Sequence, residues 1–192
     1  MTVVVTTLFE TLYAGQSGLL ELRAIGPRGK VERKFLAVKR GEFDVSLVER
    51  FTSAAVGREA NVYFGVALRA EAAKGERQTG TKAACQVVTA LWADLDFKDG
   101  GEPAARERLA SFPLSPSKVI SSGGGGLHVY WKLAKPVYPQ LSGQTRQVES
   151  LLKRLAARLG ADPAATDVAH VLRVPGSLNF KYSTPGRVME EA

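Results

Sequence analysis

Two aspartates one residue apart, Asp94 and Asp96, close the apolar run Ala90-Leu91-Trp92-Ala93-Asp94-Leu95-Asp96-Phe97. Side chains of an extended strand alternate between faces, so both carboxylates point one way while Ala93, Leu95 and Phe97 point to the core. Their Cα atoms then stand about 6.5–7 Å apart, within reach of one divalent cation or a close pair. Like charges on one face repel unless a proton or a cation neutralises them. Mg²⁺ and Mn²⁺ take oxygen ligands of this kind. The bare pattern is weak, since six aspartates in 192 residues give about 0.2 Asp-x-Asp pairs by chance. Glu42-Phe43-Asp44 has the same acid spacing, but it follows the polar turn Lys39-Arg40-Gly41 and reads as a helix start capped by Asp44. What sets Asp94 and Asp96 apart is their place at the end of a long buried strand.

Two later stretches carry further polar groups. In Leu127–Leu133 the alternation puts Leu127, Val129, Trp131 and Leu133 on one face and His128, Tyr130 and Lys132 on the other. Just before it, Gly123, Gly124, Gly125 and Gly126 form a turn without side chains, whose N–H groups can come close to phosphate oxygens. His128, the first residue of the polar face beyond that turn, can donate to the same oxygens. His128 and His170 are the chain's two histidines and lie far apart, which excludes a rolling-circle nuclease pair. From Asp162 to Lys181 the chain supplies another carboxylate, Asp162 or Asp167, and the donors Arg173, Asn179 and Lys181. Taken singly, these have ordinary accounts as a turn, a cap and surface charge. The Gly75–Lys82 stretch superficially matches a phosphate-binding P-loop, but Thr81 and Lys82 are in the wrong order and no apolar strand leads in.

The elements that must position these groups read as α+β. Gly18–Ile25 and Val31–Val38 are strand-like around a Gly26–Gly29 hairpin turn, and Asp44–Ala55 is helix-like. Asn61–Leu68 is a strand, Arg69–Ala84 a polar loop, and the central strand runs to Phe97. A short helix around Pro103–Ala110, strands at Lys118–Ser122 and Leu127–Leu133, a helix over Gln144–Leu159 ended by Gly160, and a last strand Val171–Val174 complete the pattern. One domain is expected over 1–192, with an N-terminal α/β part at 1–60 and the motif-bearing part at 61–192.

Bulk properties narrow the function. At 192 residues and 45% hydrophobic the chain can bury a full core. No apolar run reaches the length of about 18 residues that a membrane span requires. Met1–Thr7 lacks the marks of a signal peptide. The single cysteine, Cys85, excludes an internal disulfide and a cysteine-based zinc site. These features lead us to expect a cytoplasmic protein. Net charge is +7, and residues 118–192 hold 10 basic against 5 acidic residues, compared with 16 against 14 in 1–117. A basic surface of this kind suits a nucleic acid or a triphosphate.

Taken together, Ala-Leu-Trp-Ala-Asp94-Leu-Asp96-Phe, then Ser-Ser122-Gly-Gly-Gly-Gly-Leu-His128-Val-Tyr-Trp, then Asp167-x5-Arg173-Val-Pro-Gly-Ser-Leu-Asn179-Phe-Lys181 resemble the three motifs of the archaeo-eukaryotic primase superfamily. The likeness is to primase–polymerase domains of phage and plasmid replication proteins and of CRISPR-associated systems, and it covers about Asn61 to Lys181. It implies the archaeo-eukaryotic primase catalytic fold, with mixed or antiparallel sheets, an RRM-like half and flanking helices. It also implies a nucleotidyltransferase with DNA primase and polymerase activity, joining nucleoside triphosphates (NTP or dNTP) to a 3′-hydroxyl by a two-metal mechanism. Asp94, Asp96 and Asp167 would hold two Mg²⁺ or Mn²⁺ ions, with no zinc. Asp162 competes for the third place, and Asp167 is preferred for its distance from Arg173. Ser122, Gly123, Gly124, Gly125, Gly126 and His128 would hold the triphosphate, with Arg173, Asn179, Lys181 and Arg69 completing the nucleotide site. The implied partners are a single-stranded DNA template, a primer, and a helicase or other replication region of a longer prokaryotic, phage or plasmid parent protein.

Two other classes stay open at this level. A metal-dependent nucleotide-sugar glycosyltransferase also uses Asp-x-Asp, but has no need of the Gly-rich turn ending in His128. A non-catalytic RRM-like module would show exposed strand aromatics and gains nothing from three carboxylates.

Overall fold

A computed structural model describes residues 6–98 and 100–191. Among these, four α-helices pack on a nine-stranded sheet in which every pairing is antiparallel. The α+β class is therefore the one expected. Helix α1 (Thr6–Tyr13) precedes the hairpin of β1 (Gly18–Ile25) and β2 (Val31–Val38), whose register pairs Gly18 with Val38 and Ile25 with Val31. Helix α2 (Val45–Val56) starts where predicted, since the Asp44 carboxylate accepts the Leu47 N–H at 3.1 Å. The expected strand from Asn61 breaks in two, β3 (Asn61–Gly65) and β4 (Leu68–Arg69). The other edge of β1 pairs with both of them.

The long strand β5 (Cys85–Asp96) follows the loop, then α3 (Gly101–Ala110), β6 (Lys118–Ser121), β7 (Gly126–Val137) and α4 (Gln144–Leu159). Gly160, at φ +63°, ends α4. Four short strands complete the chain: β8 (Val171–Arg173), β9 (Leu178–Asn179), β10 (Gly186–Arg187) and β11 (Met189–Glu190). The sheet order is β11-β6-β7-β5-β4-β1-β3-β8, with β2 also on β1, and β9 and β10 form a separate ribbon. Helix α1 and the strands after residue 177 carry too little periodicity to be read from sequence. The reading of Met1–Thr7 rests partly on residues 1–5, outside the described residues.

Two apolar clusters fix β5 and β7 against each other. Ala93 and Leu95 of β5 meet Leu127, Val129 and Trp131 of β7 under Leu155 and Leu159 of α4. Trp92 and Tyr130 belong to the larger cluster with Phe9, Leu22 and Phe64. The alternation read from the sequence is thus the one observed, and it leaves Asp94 and Asp96 outside the Leu95 side. No helix among the described residues is long and apolar enough to cross a membrane.

Candidate active site

The register of β5 against β7 decides what faces the acid pair: Asp94 stands opposite His128, and Asp96 opposite Gly126. The imidazole Nε2 lies 3.7 Å from Asp94 Oδ1. His128 is 4% exposed and its Nδ1 has no hydrogen-bond partner. Burial, then Arg173 and His170, push its pKa down to about 3, so the ring is neutral and one nitrogen is a donor free for a ligand. The Gly-rich turn is tied to the acid strand, since Phe97 N–H donates to Gly125 O and Ser122 N–H to Gly126 O, each at 2.9 Å.

The third motif closes over this pair from the far side of the sheet. Asn61, at the start of β3, is the organiser: its Oδ1 accepts from Arg173 Nη1 at 2.7 Å and from Phe180 N–H at 2.9 Å. Arg173 lies over the Tyr63 ring, 5.0 Å from its centroid. Asn179 donates to Ser122 O at 3.1 Å and accepts from Lys181 N–H at 3.0 Å, which joins motif to motif. A cavity of about 390 Å³ results, lined by Asp94, Asp96, Ser122, Gly124, His128, Arg173, Asn179 and Lys181, together with Tyr63, His170 and Tyr182. Sequence reasoning did not single out Asn61, Tyr63, His170 or Tyr182. Asn61, a polar residue opening an apolar strand, was the one signal available.

Two other expected side chains, Asp167 and Arg69, are placed elsewhere. Asp167 does not line the cavity; its carboxylate pairs with Lys82 at 2.6 Å, and Lys82 also pairs with Glu149 at 2.6 Å. Burial raises the Asp167 pKa, but the Lys82 bond and the Ala169 N–H outweigh it and hold the group below the usual value. The cause is the turn Pro163–Thr166, capped by Asp162 and pinned by Trp92 Nε1 donating to Ala165 O at 2.7 Å, which carries residue 167 away. Asp162 is the acid that stays, its N–H donating to Asp94 O at 2.8 Å. It shares a neighbouring cleft with Asp96 and Lys98. Arg69 is fully buried and bonds Glu21 at 3.0 Å and Cys85 Sγ at 2.9 Å, so it cannot reach a nucleotide. A register shift between Leu68 and Arg69 turns it inward. Of the four glycines only Gly124 lines the cavity. Gly123, at φ +71°, packs so closely that a Cβ would meet Gly186 O at 2.6 Å. At Gly124 the same atom would lie 2.2 Å from the Tyr182 ring. The glycines are needed for this packing as well as for any phosphate approach.

Electrostatics favour a cation at the acids. Burial raises the Asp94 pKa to about 6, with Asp96 and Asp162 adding to the rise and Arg173 and Lys181 opposing it. Among the described residues no three His, Cys, Asp or Glu side chains are already gathered around one point. Asp96 turns to Lys98 at 2.6 Å. The donor chemistry nevertheless fits a hard divalent cation: two oxygen acids on one strand, one of them holding its charge at a penalty, beside a neutral imidazole, with Asp162 in the adjoining cleft.

The sequence profile of the RepB DNA-primase N-terminal domain matches residues 46–190. A replication protein of Clostridium perfringens is 29% identical over 112 residues, which cover 54% of this chain and 27% of that protein's length. The fold is similar to the AEP domain of the cyanophage S-2L primase-polymerase, with TM-score 0.62 and 21% identity over 90% of this chain and 80% of that one. It is also similar to the catalytic domain of primase RepB′ solved with initiator DNA (TM-score 0.60, 17% identity, 98% and 84% covered) and to the polymerase domain of Mycobacterium tuberculosis ligase D (0.56, 17%, 98% and 78%). The match over most of the chain makes it a member of the RepB DNA-primase N-terminal domain family.

Proposed function

We propose that the cavity binds a nucleoside triphosphate together with Mg²⁺ or Mn²⁺ and joins it to the 3′-hydroxyl of a DNA primer on a single-stranded template. The observation that carries this reading is the meeting of Asp94, Asp96, His128, Arg173 and Lys181 around one cavity, with Asp162 beside Asp96 in the neighbouring cleft. The third acid in this reading is Asp162, which shares a cleft with Asp96, in place of Asp167. Ser122, the Gly124 backbone and the neutral His128 bind phosphate oxygens. Arg173, oriented by Asn61 and Tyr63, and Lys181 offset the charge that builds up on the leaving pyrophosphate. A divalent pair held by the three acids supplies Lewis-acid activation of the hydroxyl and neutralisation of the phosphates when bound. The RepB′ complex with initiator DNA and the Clostridium replication protein support a DNA substrate and a longer parent protein.

Primer extension with Mn²⁺ and a labelled primer tests the assignment. Asp94→Asn and Asp162→Asn should each lower the rate by roughly 100-fold or more. Asp167→Asn should stay within about threefold of wild type, because its partner is a surface lysine. Full activity of Asp94→Asn would overturn the reading, and loss in Asp167→Asn with activity kept in Asp162→Asn would return the third place to Asp167.

A further inference from the structure

Next to the cavity lies a basic surface that shares Tyr63 and Arg173 with it and extends beyond the nucleotide site. Arg33 of β2, Arg23 of β1, Tyr63 of β3 and Arg173 of β8 occupy one rung across four adjacent antiparallel strands. Arg23 pairs with both Arg33 and Tyr63, and Tyr63 pairs with Arg173. Directly opposed residues share a face. The rung is therefore a row of three guanidinium groups and a phenol, roughly 14 Å long at about 4.8 Å per strand. Phe35, two residues from Arg33, stands on the same face opposite Glu21. Together with Arg77–Thr81 of the loop before β5, residues Arg23, Arg33 and Phe35 bound a groove of about 670 Å³.

Among the described residues, no carboxylate bounds this groove. Glu21, the acid beneath it, is fully buried and consumed by Arg69 at 3.0 Å, Arg23 at 2.7 Å and Arg33 at 3.4 Å. It orients two of the arginines and leaves the surface with a net excess of positive charge. The loop lies directly on that carboxylate, since a Cβ on Gly80 would fall 2.2 Å from Glu21 Oε2. Arg23 of the groove stands opposite Tyr63, which lines the cavity and underlies Arg173.

We infer that this groove is the track for the single-stranded template, with phosphates on Arg23, Arg33 and Arg77, a base stacked on Phe35, and the strand passing over Tyr63 into the cavity. The inference rests on the polymerase reading above and adds the surface that reads the template. Arginine between aromatic rings binds unpaired bases and backbone together, whereas duplex DNA offers no free ring to Phe35.

Fluorescence anisotropy with a labelled oligothymidylate, titrated across salt concentrations, tests it without requiring catalysis. Arg33 and Arg77 are exposed, so the double variant Arg33→Ala/Arg77→Ala keeps the fold. It should bind at least about tenfold more weakly, and the slope of log K against log salt should shrink by about 1.4, at about 0.7 per phosphate contact. Phe35→Ala should lose about fivefold or more for single strands while leaving duplex affinity unchanged. Arg154→Ala, exposed on α4 and outside the groove's lining, should match wild type. Wild-type affinity in both groove variants, no single-strand binding by the wild type, or an equal loss in Arg154→Ala would overturn the inference. Primer extension of the same proteins separates the two claims. Binding lost in the groove variants while the wild type fails to extend a primer refutes the polymerase reading alone; normal extension with unaltered binding refutes the groove alone.

Discussion

Asp94→Asn should make the metal-free protein more stable while removing its activity. The Asp94 side chain is 24% exposed, and burial with two neighbouring acids lifts its pKa from 3.8 to about 6. The folded state therefore holds this proton more tightly than the unfolded chain, so stability falls as pH rises between those values. Protonated Asp94 is tolerated in full below about pH 4, and that advantage is gone once pH has passed through about 6. At about 1.4 kcal/mol per pH unit, the gap of roughly 2 units costs up to about 3 kcal/mol at neutral pH. Partial exposure and local relaxation reduce this to about 1–2 kcal/mol. An uncharged isostere escapes the cost. Urea unfolding should place the midpoint of Asp94→Asn above that of wild type by roughly 0.5–1 M near pH 7.5. Near pH 4 the two midpoints should draw together. Millimolar Mg²⁺ or Mn²⁺ should raise the melting temperature of the wild type and leave Asp94→Asn unmoved, because only the charged site gains from binding. Equal midpoints at both pH values, or a variant less stable near pH 7.5, would refute the electrostatic account of the acid cluster.

His128→Ala should act on nucleotide binding, raising the nucleotide KM by roughly ten- to a hundredfold with a smaller change in kcat, as expected for loss of a bond to a charged oxygen; an unchanged KM would remove its phosphate role. Arg69→Met should cost about 3 kcal/mol in urea unfolding by leaving the buried Glu21 short of its main partner, with nucleotide KM unaltered in the folded protein. A raised KM with stability intact would bring Arg69 back to the nucleotide site.

Local periodicity carried most of the frame. The alternation through β5 and β7, the Asp44 cap and the Gly160 stop are rules that act over a few residues, and they hold in the structure. Asp94, Asp96, Ser122, His128, Arg173, Asn179 and Lys181 accordingly meet where the motifs placed them. The failures involve contacts between distant segments. Nothing local reveals that Lys82 would claim Asp167 or that Trp92 would pin the turn ahead of it. Arg69 reads as the first residue of a polar loop, whereas the chain pairs it in β4, where a register shift accompanies its burial against Glu21. The two-residue strands at the end of the fold have no period to detect. Family membership sets aside the glycosyltransferase and the non-catalytic module.

The pairing of β8 with β3 and of β11 with β6 has a consequence for biosynthesis. Both ladders join segments roughly 70 to 110 residues apart, the kind of closure that forms late. Arg173 lies on the later strand β8, and Asn179 and Lys181 lie between β8 and β11. A ribosome-bound chain that already displays Asp94, Asp96 and His128 would still lack the basic wall facing them. Competence for nucleotide should switch on as one event, once residues 171–190 have left the ribosome and docked, and should not grow gradually with chain length.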